Sequence, residues 1–302
     1  MLESKENNVK IEGILSEIDL KDNTYTKDGK EVESVGGSIK VRVTQKINGV
    51  ETELEVPVHL FSTKYTKAGK LNPAYQSISD VKNKFVSIAA AGIDEADRIR
   101  ITGAEIRMNE YYAQDGRLVS FPRITASFIK KIKKEECNPT ATFSIIFYVG
   151  SKGFELDKDG VETDKYKFMA AVPRFGGKVD VIPFYAINKG VIDAVSGYWN
   201  EGDTVKALGV LNFSSKTETK LVEVDFGEPQ EQTRTVSVSE LIITGGVAAP
   251  MEGEFAFNAE DIKAALAERN NDLAALKEKA ANTPKKGTAP AANKSGFAAL
   301  GF

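Results

Sequence analysis

The sequence predicts a mainly β protein: two tandem OB-like five-stranded barrels, one C-terminal helix and a disordered tail. Three observations predict it. Short alternating apolar and polar runs, separated by turn chemistry, fill residues 9 to 246. The second part of that span repeats the plan of the first. Beyond Gly246 the spacing becomes helical and then dissolves into a stretch rich in Pro, Gly, Ala, Asn, Ser and Lys. With 302 residues the chain exceeds one small barrel, so length agrees with two domains.

In SIKVRVTQKI, Ile39, Val41, Val43 and Ile47 are apolar, with Lys40, Arg42 and Thr44 between them. Asn48-Gly49 follows, a hairpin signal because both residues tolerate positive φ. ETELEVPVHLF then returns with Leu54, Val56, Val58 and Leu60 on one face, while Pro57 on the other parity marks an edge or a bulge. Residues 63 to 84 read as a long loop with a short helix opening at Asn72-Pro73. Strands are expected to resume in FVSIAAAG, RIRITGAEIRMNEYY and RLVSFPRITASFIKKI, with a turn at Gln114-Asp115-Gly116 between the last two.

The charged stretch ending in Asn138-Pro139 is expected to be a linker, residues 135–140, after a first barrel over 1–134. The second barrel, 141–250, begins with ATFSIIFYVGSKGFEL and turns at Asp157 to Gly160. YKFMAAVPRF, a Gly176-Gly177 turn, KVDVIPFYAI, the helix-like KGVIDAVSGYW, TVKALGVLNF and TVSVSELIITGG complete it. DEADRIRITGAEIR lies over NEGDTVKALGVLNF, and GRLVSFPRITASFIKKI over RTVSVSELIITGG, as duplication of one barrel would produce. Two unrelated β domains, or one extended sheet, remain the alternatives at this level. Residues 251–282 form an amphipathic helix segment, with Asn258 as N-cap and a helix from about Ala259 to Ala281, and 283–302 a flexible tail.

The strand, strand, strand, helix, strand, strand order is the plan of an OB-fold. In VKIEGILSEIDL, ISDVKNKFVSI, RIRITGAEIRMNEYYAQDGRLVSFPRITASFIKKI and EGDTVKALGVLNF the chain resembles single-stranded DNA-binding proteins of the phage or mobile-element type. The resemblance covers about residues 9 to 246 and is one of layout. It implies a non-enzymatic protein that binds single-stranded DNA without sequence preference in replication or recombination. Bacterial members usually end in an acidic peptide, whereas ANKSGFAALGF has Lys294 and no acid, so their partners do not carry over. Phe297, Leu300 and Phe302 are instead candidates for docking a replication or recombination protein, with an unstructured end of no function as the alternative reading. A phage structural or assembly protein built from β-barrels is the competing reading.

Unpaired strands are held by cations along the phosphates and by ring faces on which bases stack. The net charge of −3 requires any such footprint to be local. From Arg98 to Lys134 nine basic residues face three acids. Arg107, Arg117 and Arg123, interleaved with Tyr111, Tyr112 and Phe121, form the first candidate cluster; adjacent Tyr111 and Tyr112 point to opposite faces, so at most one is core. Lys64, Tyr65 and Lys67 in FSTKYTKAGK form a second, and Lys167, Arg174 and Phe175 a third, with Phe168 and Trp199 expected in the core.

His59, the only histidine, reads as a packed strand residue, and no cofactor or metal is expected, since no phosphate-cradling glycine loop or Cys/His cluster is present. Single Cys137 excludes an internal disulfide. The N-terminus lacks a secretory h-region and no apolar run spans a bilayer, so a cytoplasmic protein is expected, in the host cytoplasm if phage-encoded.

Overall fold

The computed structural model describes residues 2–113, 115–222 and 230–282, with side chains described outside 215–237. The first alternating runs pair as β1 (Asn7–Lys27), β2 (Lys30–Ile47) and β3 (Val50–Thr63), antiparallel in that order. The β2–β3 hairpin turns at Asn48 and Gly49, whose φ angles of 49° and 83° are those a type I′ turn needs. Helix α1 (Pro73–Lys84) starts where Asn72 Oδ1 accepts the Ala74 N–H at 3.1 Å, and it buries Ile78 and Val81.

After a helical turn, α2 (Ile88–Ala91), come β4 (Arg98–Tyr112), β5 (Leu118–Ala126) and β6 (Ile129–Ile132). β4 pairs with both β5 and β1, and β5 lies parallel to β3 at Val58–Leu60. The sheet therefore closes in the order β1-β2-β3-β5-β4-β1. Strands β7 (Thr140–Leu156), β8 (Glu162–Pro173), β9 (Val179–Ala186), β10 (Thr204–Val222) and β11 (Gln230–Gly246), with α3 (Lys189–Tyr198) before β10, close a second sheet in the same order. The expected pair of five-stranded OB-type barrels is present. α4 (Ala259–Ala281) begins after Asn258, whose side chain accepts the Glu260 and Asp261 N–H groups, and packs Ile262 and Ala265 against Ala171, Val179 and Phe257. Phe297, Leu300 and Phe302 lie outside the described residues.

Three expectations are corrected or narrowed. FVSIAAAG does not form a strand: IAAA has no alternating face, alanine is the best helix former, and Gly92 ends the turn at φ 84°. RLVSFPRITASFIKKI is two strands, because β5 ends paired with β3 whereas β6 pairs with β4 at Arg98–Ile101. Pro57 stays in register opposite Lys40, without a bulge, and pairing to β5 begins only at Val58, which leaves the edge reading.

The barrels meet through their first strands, β1 pairing antiparallel with β7 from Asn7↔Ile145 to Glu12↔Thr140. Gln45 extends this joint: its Oε1 accepts the Ala141 N–H at 2.8 Å, and its Nε2 donates to the Ala141 and Leu211 carbonyls. Glu12, 1% exposed, accepts two hydrogen bonds from Arg100 and the Asn138 N–H at 2.7 Å. Its hydrogen bond from Arg100 holds the Glu12 carboxyl below the ordinary 4.5, against the opposing effect of burial. The associated stability is complete above that ordinary value and is lost as the pH falls through the lowered one. Glu12→Gln is expected to cost about 1–3 kcal/mol at neutral pH. Urea unfolding at about pH 7 and about pH 3.5 should show the variant losing less stability on acidification than the parent.

Candidate nucleic-acid interface

A bulge aims the first cluster. Along β4, Ile99 and Ile101 are buried, but Gly103 adopts φ 72° and the pairing with β1 shifts register, after which Ala104 and Ile106 are the buried residues. The extra residue reverses the parity of everything beyond it, so Glu105 and Arg107 point outward. In β3 and β5 the inward Val58, Leu60 and Ile124 place His59, Phe61, Phe121, Arg123 and Thr125 on the outer side.

Cross-strand register then assembles the face. Arg107 lies opposite Arg123, Asn109 opposite Phe121 and Tyr111 opposite Val119, so Arg107, Tyr111, Phe121 and Arg123 share one surface of the β4–β5 hairpin. Tyr111 is 47% and Phe121 40% exposed. Tyr112 does not join them. It shares the opposite face with Glu110, whose carboxylate pairs with Arg269 of α4. Arg117 sits at the end of the exposed turn, 3.7 Å from Asp115.

The same surface continues onto β3 as a groove of about 430 Å3 lined by His59, Phe61, Gly103, Glu105, Arg123 and Thr125. Phe61 is 51% exposed and lies opposite Gly36. A Cβ on Gly36 would come 2.9 Å from the Phe61 ring, so the missing side chain lets the ring lie over β2. Such a ring is exposed on one side and backed by the sheet on the other.

Within the groove the Arg123 Nε is buried and has no hydrogen-bond partner among the described residues. Arg107 is already engaged, 2.6 Å from Glu105. Burial first, and the Arg123 charge second, push the His59 imidazole below its ordinary 6.5.

The second barrel reaches this region at Asp180, whose carboxylate lies 3.9 Å from Arg107 and 3.6 Å from Arg174. Burial raises the Asp180 carboxyl above its ordinary value, and the two arginines oppose that shift. Arg107 and Arg174 thus meet across the two barrels. Phe175, 93% exposed, follows Arg174 in the turn formed by Gly176 and Gly177.

The remaining candidates are dispersed. Lys167 stands 5.7 Å from the centre of the Tyr185 ring on the outer face of β8, about 20 Å along the strand from Arg174. Lys64 pairs with Glu33 at 2.9 Å and lies over the half-exposed Tyr65 ring, beyond the end of β3, with Lys67 exposed nearby. Phe168 and Trp199 are core residues, as expected.

The basic count from Arg98 to Lys134 also shrinks on folding. Arg100 is spent on Glu12, Lys131 on Asp97, and Arg107 on Glu105. Phe61, His59 and Asp180 are the functional candidates that sequence reasoning missed. Alternation in VPVHLF would have found the first two, since inward Val58 and Leu60 force their neighbours out.

Solved structures to which the chain is similar include two forms of one protein. The wild-type single-stranded DNA binding protein from Thermus aquaticus is 12% identical, with a TM-score of 0.47 over 83% of this chain and 95% of its own. A deletion mutant of that protein, also 12% identical, gives 0.44 over 82% and 95%. No curated protein matches. The family model described as YorF matches residues 5–279, nearly the whole described length, and the chain therefore belongs to the YorF family.

Proposed function

We propose that the protein binds single-stranded DNA with little sequence preference, as a non-enzymatic component of replication or recombination in the cytoplasm. One observation carries the reading: Phe61, Tyr111 and Phe121, each about half exposed, share an outer surface with Arg123, whose Nε has no partner among the described residues. Rings accept unstacked bases of any identity, and a guanidinium accepts a phosphate. Fixed rings lose little freedom on binding. Arg174 and Phe175 extend the surface onto the second barrel, while Lys64, Tyr65, Lys67 and Lys167 are outlying cations and rings for a strand longer than this groove. A protein partner is assigned to Phe297, Leu300 and Phe302.

The test is a salt titration of fluorescent oligo-dT binding beside a duplex of equal length. Affinity for the single strand should fall along a straight log–log line, with a slope of about −0.7 per phosphate contacted, and the duplex should bind more weakly. A large ordered assembly with no DNA affinity would instead support a structural protein.

A further inference from the structure

The imidazole of His59 sits in the groove with an unusual set of neighbours. Ser38 lies directly opposite on β2, and Lys40, the next outward cation there, is paired with Glu17. From β5 the groove receives Arg123 and Thr125, and from β4 Glu105, whose carboxylate is held by Arg107. Among the described residues no hydrogen bond reaches the His59 ring. Among the described residues its one charged neighbour without a counter-ion is Arg123.

We propose that strand binding in this groove is coupled to protonation of His59, so that the complex holds one more proton than the free protein and affinity rises as the pH falls. The inference rests on the single-strand reading and adds its regulation. In the free protein, burial and the Arg123 cation both favour the neutral ring. A phosphodiester seated against Arg123 neutralises that cation and gives an imidazolium N–H an acceptor. Binding thus removes one of the two causes that keep the ring neutral and replaces it with an attraction for the charged form. By linkage, the state that holds the proton more tightly is favoured as protons become abundant.

Oligo-dT suits the test, because thymine does not titrate between pH 6 and pH 8. At fixed ionic strength the full chain, carried on a tag without histidine, is expected to bind about three- to tenfold more tightly near pH 6 than near pH 8. His59→Gln should flatten that profile, whatever affinity it retains. Because the chain has a single histidine, its ring proton resonance can be followed without ambiguity. It should titrate below the ordinary range in the free protein and move upward when the oligonucleotide saturates the site.

Equal wild-type affinity at both pH values, an unchanged profile in His59→Gln, or a ring titration that stays put on binding would each overturn the coupling while leaving strand binding intact. Absence of binding at every pH would remove the single-strand reading, and the coupling with it.

Discussion

Trp199→Ala is expected to lower the unfolding free energy by about 3–5 kcal/mol, the loss typical of emptying a large buried aromatic site. The indole closes one end of the second barrel, at the C-cap of α3. It meets Phe147 edge-on at 6.0 Å and Phe168 at 5.8 Å between ring centroids. Its Nε1 donates to the Val247 carbonyl at 2.9 Å. Gly246 supports the other side, where an added Cβ would stand 2.7 Å from the ring. Alanine would therefore leave a void among rigid rings, a cost that the closed sheet cannot relax, and would take from the Val247 carbonyl its indole partner. Urea unfolding followed by circular dichroism measures the effect, since the variant lacks the only tryptophan. Trp199→Phe should retain most of the packing and lose less. A loss below about 1 kcal/mol for alanine would mean that the indole is not packed as described.

Local chemistry made most of the fold legible. Asn48-Gly49 and Gly176-Gly177 carry turn geometry in their own backbones, and Asn258 with the following apolar spacing fixed the bounds of α4. The internal repeat held for the same reason: DEADRIRITGAEIR and NEGDTVKALGVLNF enter β4 and β10, the corresponding strands of the two barrels. What stayed hidden depends on distant partners. A charge count over a segment cannot know that Arg100 meets Glu12 across 88 positions. Nor can it place Asp180 between Arg107 and Arg174.

The site was half legible for a related reason. Arg107, Tyr111, Phe121 and Arg123 fall on one face, but only because the bulge at Gly103 resets the parity of β4. Without it Arg107 would follow Ile99 and Ile101 inward. A glycine inside an alternating run was the available signal.

That parity decides the second large effect. Phe61→Ala is expected to weaken oligo-dT binding by about 1–3 kcal/mol, roughly five- to 150-fold, because it deletes a stacking platform already fixed over Gly36. Arg123→Ala should also weaken binding, and it should reduce the salt slope by about 0.7, as expected for one lost phosphate contact. Both side chains lie on the outer side, so inward Leu60 and Ile124 keep the barrel intact and circular dichroism should be unchanged. Tyr111→Ala belongs with this group. Tyr112→Ala does not, since its face carries Glu110 toward α4. The contrast separates loss of a binding surface from general damage to the hairpin, because the two tyrosines are adjacent in the chain and point to opposite faces. If Tyr112→Ala proved as harmful as Tyr111→Ala while Phe61→Ala bound normally, the strand could not follow the β3–β5–β4 surface, and Arg123 would need another ligand.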